Sequence, residues 1–280
     1  MPAQELREPA HTRVPVTGGE LNVAVWGSAG DEVPVLAIHG LTASSRAWLE
    51  VATGLPRPVI APDLRGRGDS GAVPGPYGMA AHAADCVAVL DALGISRADV
   101  VGHSMGGFVA SVLAHRYPAR VARLVLVDGG PPLPTPHGGP ETMLGPAARR
   151  LEMRFASPEA YRDHWRAHPS FAEWTPAVQA YVDYDLTGSE GDLRSKVSAA
   201  AMRTDFTDLH TGAPGLDAFA GLPAGVPFVR AERGMLNGAT PLYADLDVLS
   251  RLKVTTVPGT NHYSILFADA GVSAVVAELT

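Results

Sequence analysis

Val100-Val101-Gly102-His103-Ser104-Met105-Gly106-Gly107 is the stretch from which the rest of the chain can be read. A mostly apolar run, Ala98 to Val101, leads into it, and a helix-like run, Phe108 to Tyr117, leaves it. Gly-x-Ser-x-Gly between strand and helix is the context of a nucleophile elbow. A strand that turns into a helix within a few residues strains its central residue. Small neighbours, here Gly102 and Gly106, let the two arms approach. The bend lifts the Ser104 hydroxyl above the strand end and aims the first free helix N–H groups at whatever Ser104 attacks.

Outward from the elbow, strands and helices alternate. Arg13 to Val16 and Glu20 to Trp26 read as a hairpin across Thr17-Gly18-Gly19. Pro34 to Ile38, Pro58 to Ala61 and Arg123 to Val127 read as buried strands. Ser45 to Ala52 reads as a short helix, and Tyr77 to Leu93 as an amphipathic helix closed by Gly94. Strands apolar on both faces and separated by helices predict a parallel sheet with helices on both sides. Ligands of such sheets bind beyond the carboxyl ends of the strands. His39, Asp63, Ser104 and Asp128 all follow strands and fall on that edge.

The rhythm breaks at Pro131. Pro131 to Pro140, with His137 inside it, can be neither helix nor central strand. From Glu141 to about Leu222 helix patterns dominate: Ala147 to Phe155, Pro158 to Ala167, Pro176 to Tyr184 and Asp192 to Met202. Half of the chain's aromatics lie there. The expectation is a core domain of residues 1–130 and 223–280 with a helical cap, 131–222, inserted between its halves. The aromatics would pack cap on sheet and form an apolar ceiling over the site. Strands resume at Val226 to Arg230 and Lys253 to Val257, and a last helix spans Ile265 to Leu279.

Composition narrows the classes. With 46% hydrophobic and 18% charged residues the chain has the make-up of a globular protein. A net charge of −7 argues against nucleic-acid or anionic-membrane partners. No apolar run is long enough to span a bilayer. The N-terminus, carrying Glu5, Arg7 and Glu8, has no apolar segment of a secretory signal, so a cytoplasmic location is expected. The single cysteine, Cys86, excludes an internal disulfide framework and falls on the apolar face of the Tyr77–Leu93 helix. A monomer or homodimer is expected.

A serine hydroxyl needs a base within hydrogen-bond reach, and the base needs an orienting acid. Of ten histidines, His262 alone follows a C-terminal strand, in Gly259-Thr260-Asn261-His262, where it can reach the edge that holds Ser104. Two acids compete. Asp128 ends the strand after the elbow helix, and Glu232 follows the strand Val226 to Arg230. The backbone N–H groups of Met105 and Leu41 are the candidate donors to a tetrahedral oxyanion. His39, Gly40, Thr42, His103, Trp165 and Tyr184 are expected to border the substrate. Asp63 to Ser70, with two acids and two arginines, reads as a self-paired turn. No metal-ligand spacing and no Gly-rich phosphate loop is present, so neither metal nor cofactor is expected.

These motifs resemble those of the α/β-hydrolase superfamily over nearly the full length. The carriers are His39-Gly40, Asp63-Leu64-Arg65-Gly66-Arg67-Gly68-Asp69-Ser70, Gly102 to Gly107, Leu124 to Asp128 and Gly259 to His262. The chain is similar to the subgroup whose cap is inserted after the sixth sheet strand. The resemblance implies an eight-stranded, mostly parallel sheet whose second strand is antiparallel. It also implies Ser104 as nucleophile, His262 as base, and Leu41 and Met105 as oxyanion donors. One departure stands out. Most relatives carry the acid after the seventh strand in Gly-x-x-Asp, where this chain reads Ala231-Glu232-Arg233-Gly234. Some place it after the sixth strand, where Asp128 stands, so Asp128 is favoured and Glu232 stays open. The expected activity is cofactor-free hydrolysis of small to medium, mostly apolar carboxylic esters or lactones. The same site could instead perform C–C (diketone) hydrolysis, amide hydrolysis or perhydrolysis, and a ligand-binding protein that has lost turnover is the non-enzymatic alternative.

Overall fold

The computed structural model describes residues 5–28, 32–133 and 140–280. The first four residues of the chain, and residues 134–139 of the proline-rich break with His137, lie outside the described residues. The chain opens with an antiparallel hairpin, β1 (Ala10–Val16) and β2 (Gly19–Trp26). Then come β3 (Val35–Ile38), a 3-10 turn at Ser45–Trp48 that runs into α1 (Leu49–Gly54), and β4 (Val59–Pro62). Next are α2 (Met79–Ala92), β5 (Ala98–His103), α3 (Met105–Arg116) and β6 (Val121–Val127). After the break come α4 (Pro140–Glu152), α5 (Pro158–Arg166) and α6 (Pro176–Tyr184). A two-residue ribbon, β7 (Leu186–Thr187) with β8 (Arg194–Ser195), precedes α7 (Ala199–Thr211) and α8 (Ala213–Gly221). The chain ends with β9 (Pro227–Ala231), β10 (Lys253–Val257) and α9 (Asp269–Leu279).

Eight strands form one sheet in the order β1-β2-β4-β3-β5-β6-β9-β10. β2 is antiparallel to both neighbours, and every other pairing from β4 to β10 is parallel. The eight-stranded, mostly parallel architecture with an antiparallel second strand is therefore present. Strand alternation divides the core into two layers. Val35 and Ala37 face one side, with Trp48, Leu49, Val275 and Leu279 of the helices there. Leu36 and Ile38 face the other, with Cys86, Leu90, Val109 and Leu113 of α2 and α3. Both faces are covered, which is why the central strands read as unbroken apolar runs.

The inserted helices start where local chemistry dictates. Ser157 and Thr175 cap α5 and α6, each accepting from the N–H three residues on, with Pro158 and Pro176 at the first helical position. Ser198 caps α7 in the same way by accepting from Ala201. That cap explains one correction. The pattern Asp192 to Met202 predicts a single helix, but the span contains the strand β8, and helix begins only after Ser198. The Lys196 N–H donates to the Asp185 carbonyl and the Ser195 hydroxyl to the Asp185 carboxylate, which holds this segment extended. The helix expected over Ala147 to Phe155 instead begins at Pro140 and ends at Glu152, because Phe155 leaves it to pair with Leu193. Within the inserted span, α8 packs against α2 and α3 on the flank of the sheet.

The Asp63–Ser70 turn is not self-paired. Arg65 is tied to Asp85 of α2 and Arg67 to Asp205 of α7, while Asp69 accepts from Lys196 at 2.7 Å. Asp63 itself collects four donors, the N–H groups of Ser45 and Asp69, the Asn22 amide and the Tyr184 hydroxyl. Its charges therefore join separate elements instead of closing one loop.

Candidate active site

The elbow is built by exclusion of side chains. A Cβ on Gly102 would stand 2.1 Å from the Gly106 carbonyl oxygen, and one on Gly106 would stand 2.0 Å from that of Ile38. Only hydrogen fits at either place, so the strand end and the helix start can pass each other. Ser104 takes the strain at φ 55° and ψ −125°. Such a backbone is unfavourable for a side-chain-bearing residue and persists only where the surroundings hold it. The Ser104 N–H donates to the Val127 carbonyl at 3.0 Å, anchoring the bend on β6.

Asp128 is the second strained residue, at φ 44°, one position beyond β6. The turn delivers its carboxylate to the sheet edge, where it is fully buried. One oxygen accepts from the Ala231 N–H at 3.1 Å, and the other accepts from His262 Nδ1 at 2.7 Å. Across the ring, His262 Nε2 accepts from the Ser104 hydroxyl at 2.9 Å. The carboxylate fixes the proton on Nδ1 and leaves a lone pair on Nε2, the tautomer a base needs. Glu232 is not part of this chain of bonds. Its carboxylate accepts from the Gly259 N–H at 2.8 Å and so closes the loop that carries His262.

Two buried histidines brace the centre. His39 is fully buried behind Gly40. Its Nδ1–H donates to the Gly40 carbonyl at 2.8 Å and its Nε2 accepts from the Leu64 N–H at 3.0 Å. Turning that carbonyl back leaves the Leu41 N–H of the same peptide directed the opposite way. His103 donates from Nε2 to the His262 carbonyl at 2.8 Å, and the two rings lie 4.8 Å apart. Burial lowers His39 to about 4 and His103 to about 3, so both stay neutral near neutral pH. Met105 opens α3, and its N–H is among those with no intrahelical acceptor.

A cavity of about 130 Å³ lies over Ser104 and His262. Gly40, Leu41, Thr42 and His103 line it. His39, Trp165 and Tyr184 do not border it, and this corrects the expectation for all three. His39 is occupied in shaping the loop. Trp165 is buried in the cap beneath the Arg150 guanidinium, which sits 5.0 Å over its ring. Tyr184 is turned away to Asp63 and Asn22. The wall is instead made by Leu144, Phe206, Leu209, Leu242, Leu266 and Phe267, with Tyr181 and Tyr263.

Two further residues escape a reading of the sequence. Arg67 donates from Nε to the Leu41 carbonyl at 3.0 Å and thereby ties the Leu41 loop to Asp205 of α7. Asn261 accepts from the N–H groups of Tyr263 and Ser264 and donates to the Ser170 carbonyl, locking the His262 loop to the cap. Partners 138 positions away for Arg67 and 91 positions away for Asn261 leave no local signal. The one hint for Asn261 is its place beside His262.

Residues 33–156 match a family model described as alpha/beta hydrolase fold. A protein of Variovorax paradoxus named "Putative carbamate hydrolase RutD" is 34% identical over 229 residues, 76% of this chain and 82% of that one. Lipase LipV of Mycobacterium tuberculosis is 43% identical over 110 residues, 39% of this chain and 41% of that one. The chain spans only 30% to 43% of the length of several relatives it matches. Among solved structures, E-2-(acetamidomethylene)succinate hydrolase superimposes with a TM-score of 0.80 at 24% identity, covering 97% of this chain and 99% of that one.

Proposed function

The chain belongs to the α/β-hydrolase family, and on that premise we propose that it is a serine hydrolase acting on carboxylic esters or lactones of small to medium, mostly apolar substrates. The observation that carries this reading is the unbroken hydrogen-bonded series from Asp128 through His262 to Ser104, at 2.7 and 2.9 Å. In the first step the Ser104 hydroxyl attacks the acyl carbon while His262 Nε2 takes its proton. Asp128 holds the imidazole and stabilises the cation that forms. The tetrahedral oxygen is met by the N–H groups of Leu41 and Met105, and losing one such donor costs about 3 kcal/mol of transition-state stabilisation. His262 then protonates the leaving group, and the acyl group stays on Ser104. Water, deprotonated by His262, attacks that acyl-enzyme and regenerates the serine.

The apolar wall supports an uncharged substrate, because no Asp, Glu, Lys or Arg lines the cavity among the described residues. A second reading keeps the triad and changes the bond to a carbamate or amide C–N bond. It is favoured by the relative whose name describes a carbamate hydrolase and which shares most of its length with this chain. C–C hydrolysis and perhydrolysis have no such support. The test is a hydrolysis panel of esters of graded chain length, set beside lactones, carbamates and amides, with Ser104→Ala as blank. Ester or lactone turnover lost in Ser104→Ala is the expected result. Turnover confined to carbamates or amides would transfer the assignment to the second reading.

A further inference from the structure

Two polar groups on the cavity wall have no part in the reaction described above. Tyr181 comes from α6 of the cap, and Tyr263 is the residue after His262, yet both line the same cavity. Neither hydroxyl is hydrogen-bonded to another described residue. Tyr181 is buried and Tyr263 half-buried, and neither phenol oxygen is among the buried side-chain atoms sealed off without a partner, so both remain accessible. Burial holds both groups above the usual phenol range, so each presents a neutral O–H.

The rings are held firmly. Tyr181 packs on Phe171 and Phe267, with centroids 6.2 and 5.3 Å away. Tyr263 packs on Phe171 at 5.9 Å and His168 at 6.1 Å, and its N–H is fixed by the Asn261 side chain. Phe171 is thus a common backing for both. Rigid rings with unmatched donors are preorganised for an acceptor that arrives with a ligand.

We propose that the Tyr181 and Tyr263 hydroxyls form a subsite for an uncharged hydrogen-bond acceptor, a second carbonyl oxygen carried by the substrate beyond its scissile acyl group. The inference rests on the serine-hydrolase reading and narrows its substrate class. A carboxylate fits less well. The nearby cation, Arg150, is already bound to Asp185 at 3.0 Å and to Tyr161 at 3.0 Å. Its charge is balanced by Asp185, and although its Nη2 has no hydrogen-bond partner among the described residues, an anion would gain a donor there but no net counter-charge for the hydration it loses. A plain alkyl chain would leave both phenols unmatched. Because one hydroxyl belongs to the cap and the other to the loop carrying His262, a dicarbonyl substrate would bridge the two.

The test uses three nitrophenyl esters of equal length, with a ketone, a methylene or a carboxylate at the far end. The wild type is expected to favour the keto ester over the methylene ester by at least about tenfold in kcat/KM. Tyr181→Phe and Tyr263→Phe should each lower that ratio several-fold without lowering Tm, since each removes an unmatched donor and little volume. Equal turnover of keto and methylene esters by the wild type, equal losses on both esters in the variants, or a preference for the carboxylate would overturn the proposal. Calorimetric binding of the keto and methylene methyl esters to Ser104→Ala reads the subsite without turnover. Preferential keto binding supports the subsite even if the wild type hydrolyses nothing, whereas equal binding rejects it. Absence of turnover on every ester counts against the hydrolase reading instead.

Discussion

At Ser104 the backbone is strained, the hydroxyl points at an imidazole, and Gly102 and Gly106, each closed against a carbonyl oxygen, enclose the bend. Gly106→Ala would drive its methyl group into the Ile38 carbonyl oxygen, 2.0 Å away. That variant should yield little folded protein, checked by soluble expression and near-ultraviolet circular dichroism. The acid position gives a cleaner contrast. Asp128→Asn removes the acceptor that sets the His262 tautomer, and kcat should fall by about 10⁴ with KM little changed. Glu232→Gln keeps an acceptor for the Gly259 N–H, so its kcat should stay within a few-fold of wild type. Steady-state kinetics of the two variants side by side decide between the carboxylates. His39 and His103 bring a pH dependence of stability. Both are neutral in the fold and lowered from 6.5, to about 4 and about 3. Below pH 6.5 the unfolded chain therefore takes up protons that the folded chain refuses. Their contribution is fully present above pH 6.5 and is lost as pH falls toward 4 and then 3. His103→Phe should flatten the fall of the urea midpoint across that window.

Among the elements, α7 carries more than its packing. Asp205 lies on it, fully buried against the fully buried Arg67 and His82, and also accepts from the Gly78 N–H. The neighbouring Asp208 accepts from the Met79 N–H, so two carboxylates of α7 meet the start of α2, where negative charge is favoured. Asp205→Asn leaves the Arg67 charge buried without its partner and should cost about 3–5 kcal/mol in urea unfolding. The same change frees the Leu41 carbonyl loop, so kcat should fall as well. These ties show where legibility ended. Strand and helix order, the Ser104 elbow and the His262 loop were readable, because apolar period, glycine spacing and strand-end position are local. The choice of Asp128 over Glu232 was not local, since both follow strands. It is decided by the Asp128 turn at positive φ, which brings the carboxylate under His262. Trp165 and Tyr184 were aromatic residues in the right segment, but burial beneath Arg150 and a bond to Asp63 took them elsewhere. The Asp63–Ser70 arginines likewise had distant partners that spacing along the chain does not reveal.

For the molecule as a whole, the cap and one face of the sheet share a single apolar cluster. Tyr161, Trp165, Phe171 and Tyr181 of the insertion are continuous with Trp48, Val127, Val229 and Phe267. Separate unfolding of the cap would expose that shared surface, so one cooperative transition is expected. Far-ultraviolet dichroism and tryptophan fluorescence should give coincident thermal curves. Whether His262 activates Ser104 is read most directly by the rate of fluorophosphonate addition, with the adduct located by mass spectrometry. One adduct on Ser104 in the wild type, formed at least about 10³-fold more slowly in His262→Ala, is the predicted result. An unlabelled Ser104 in the folded protein, or equal rates in the two proteins, would contradict acyl transfer through this pair.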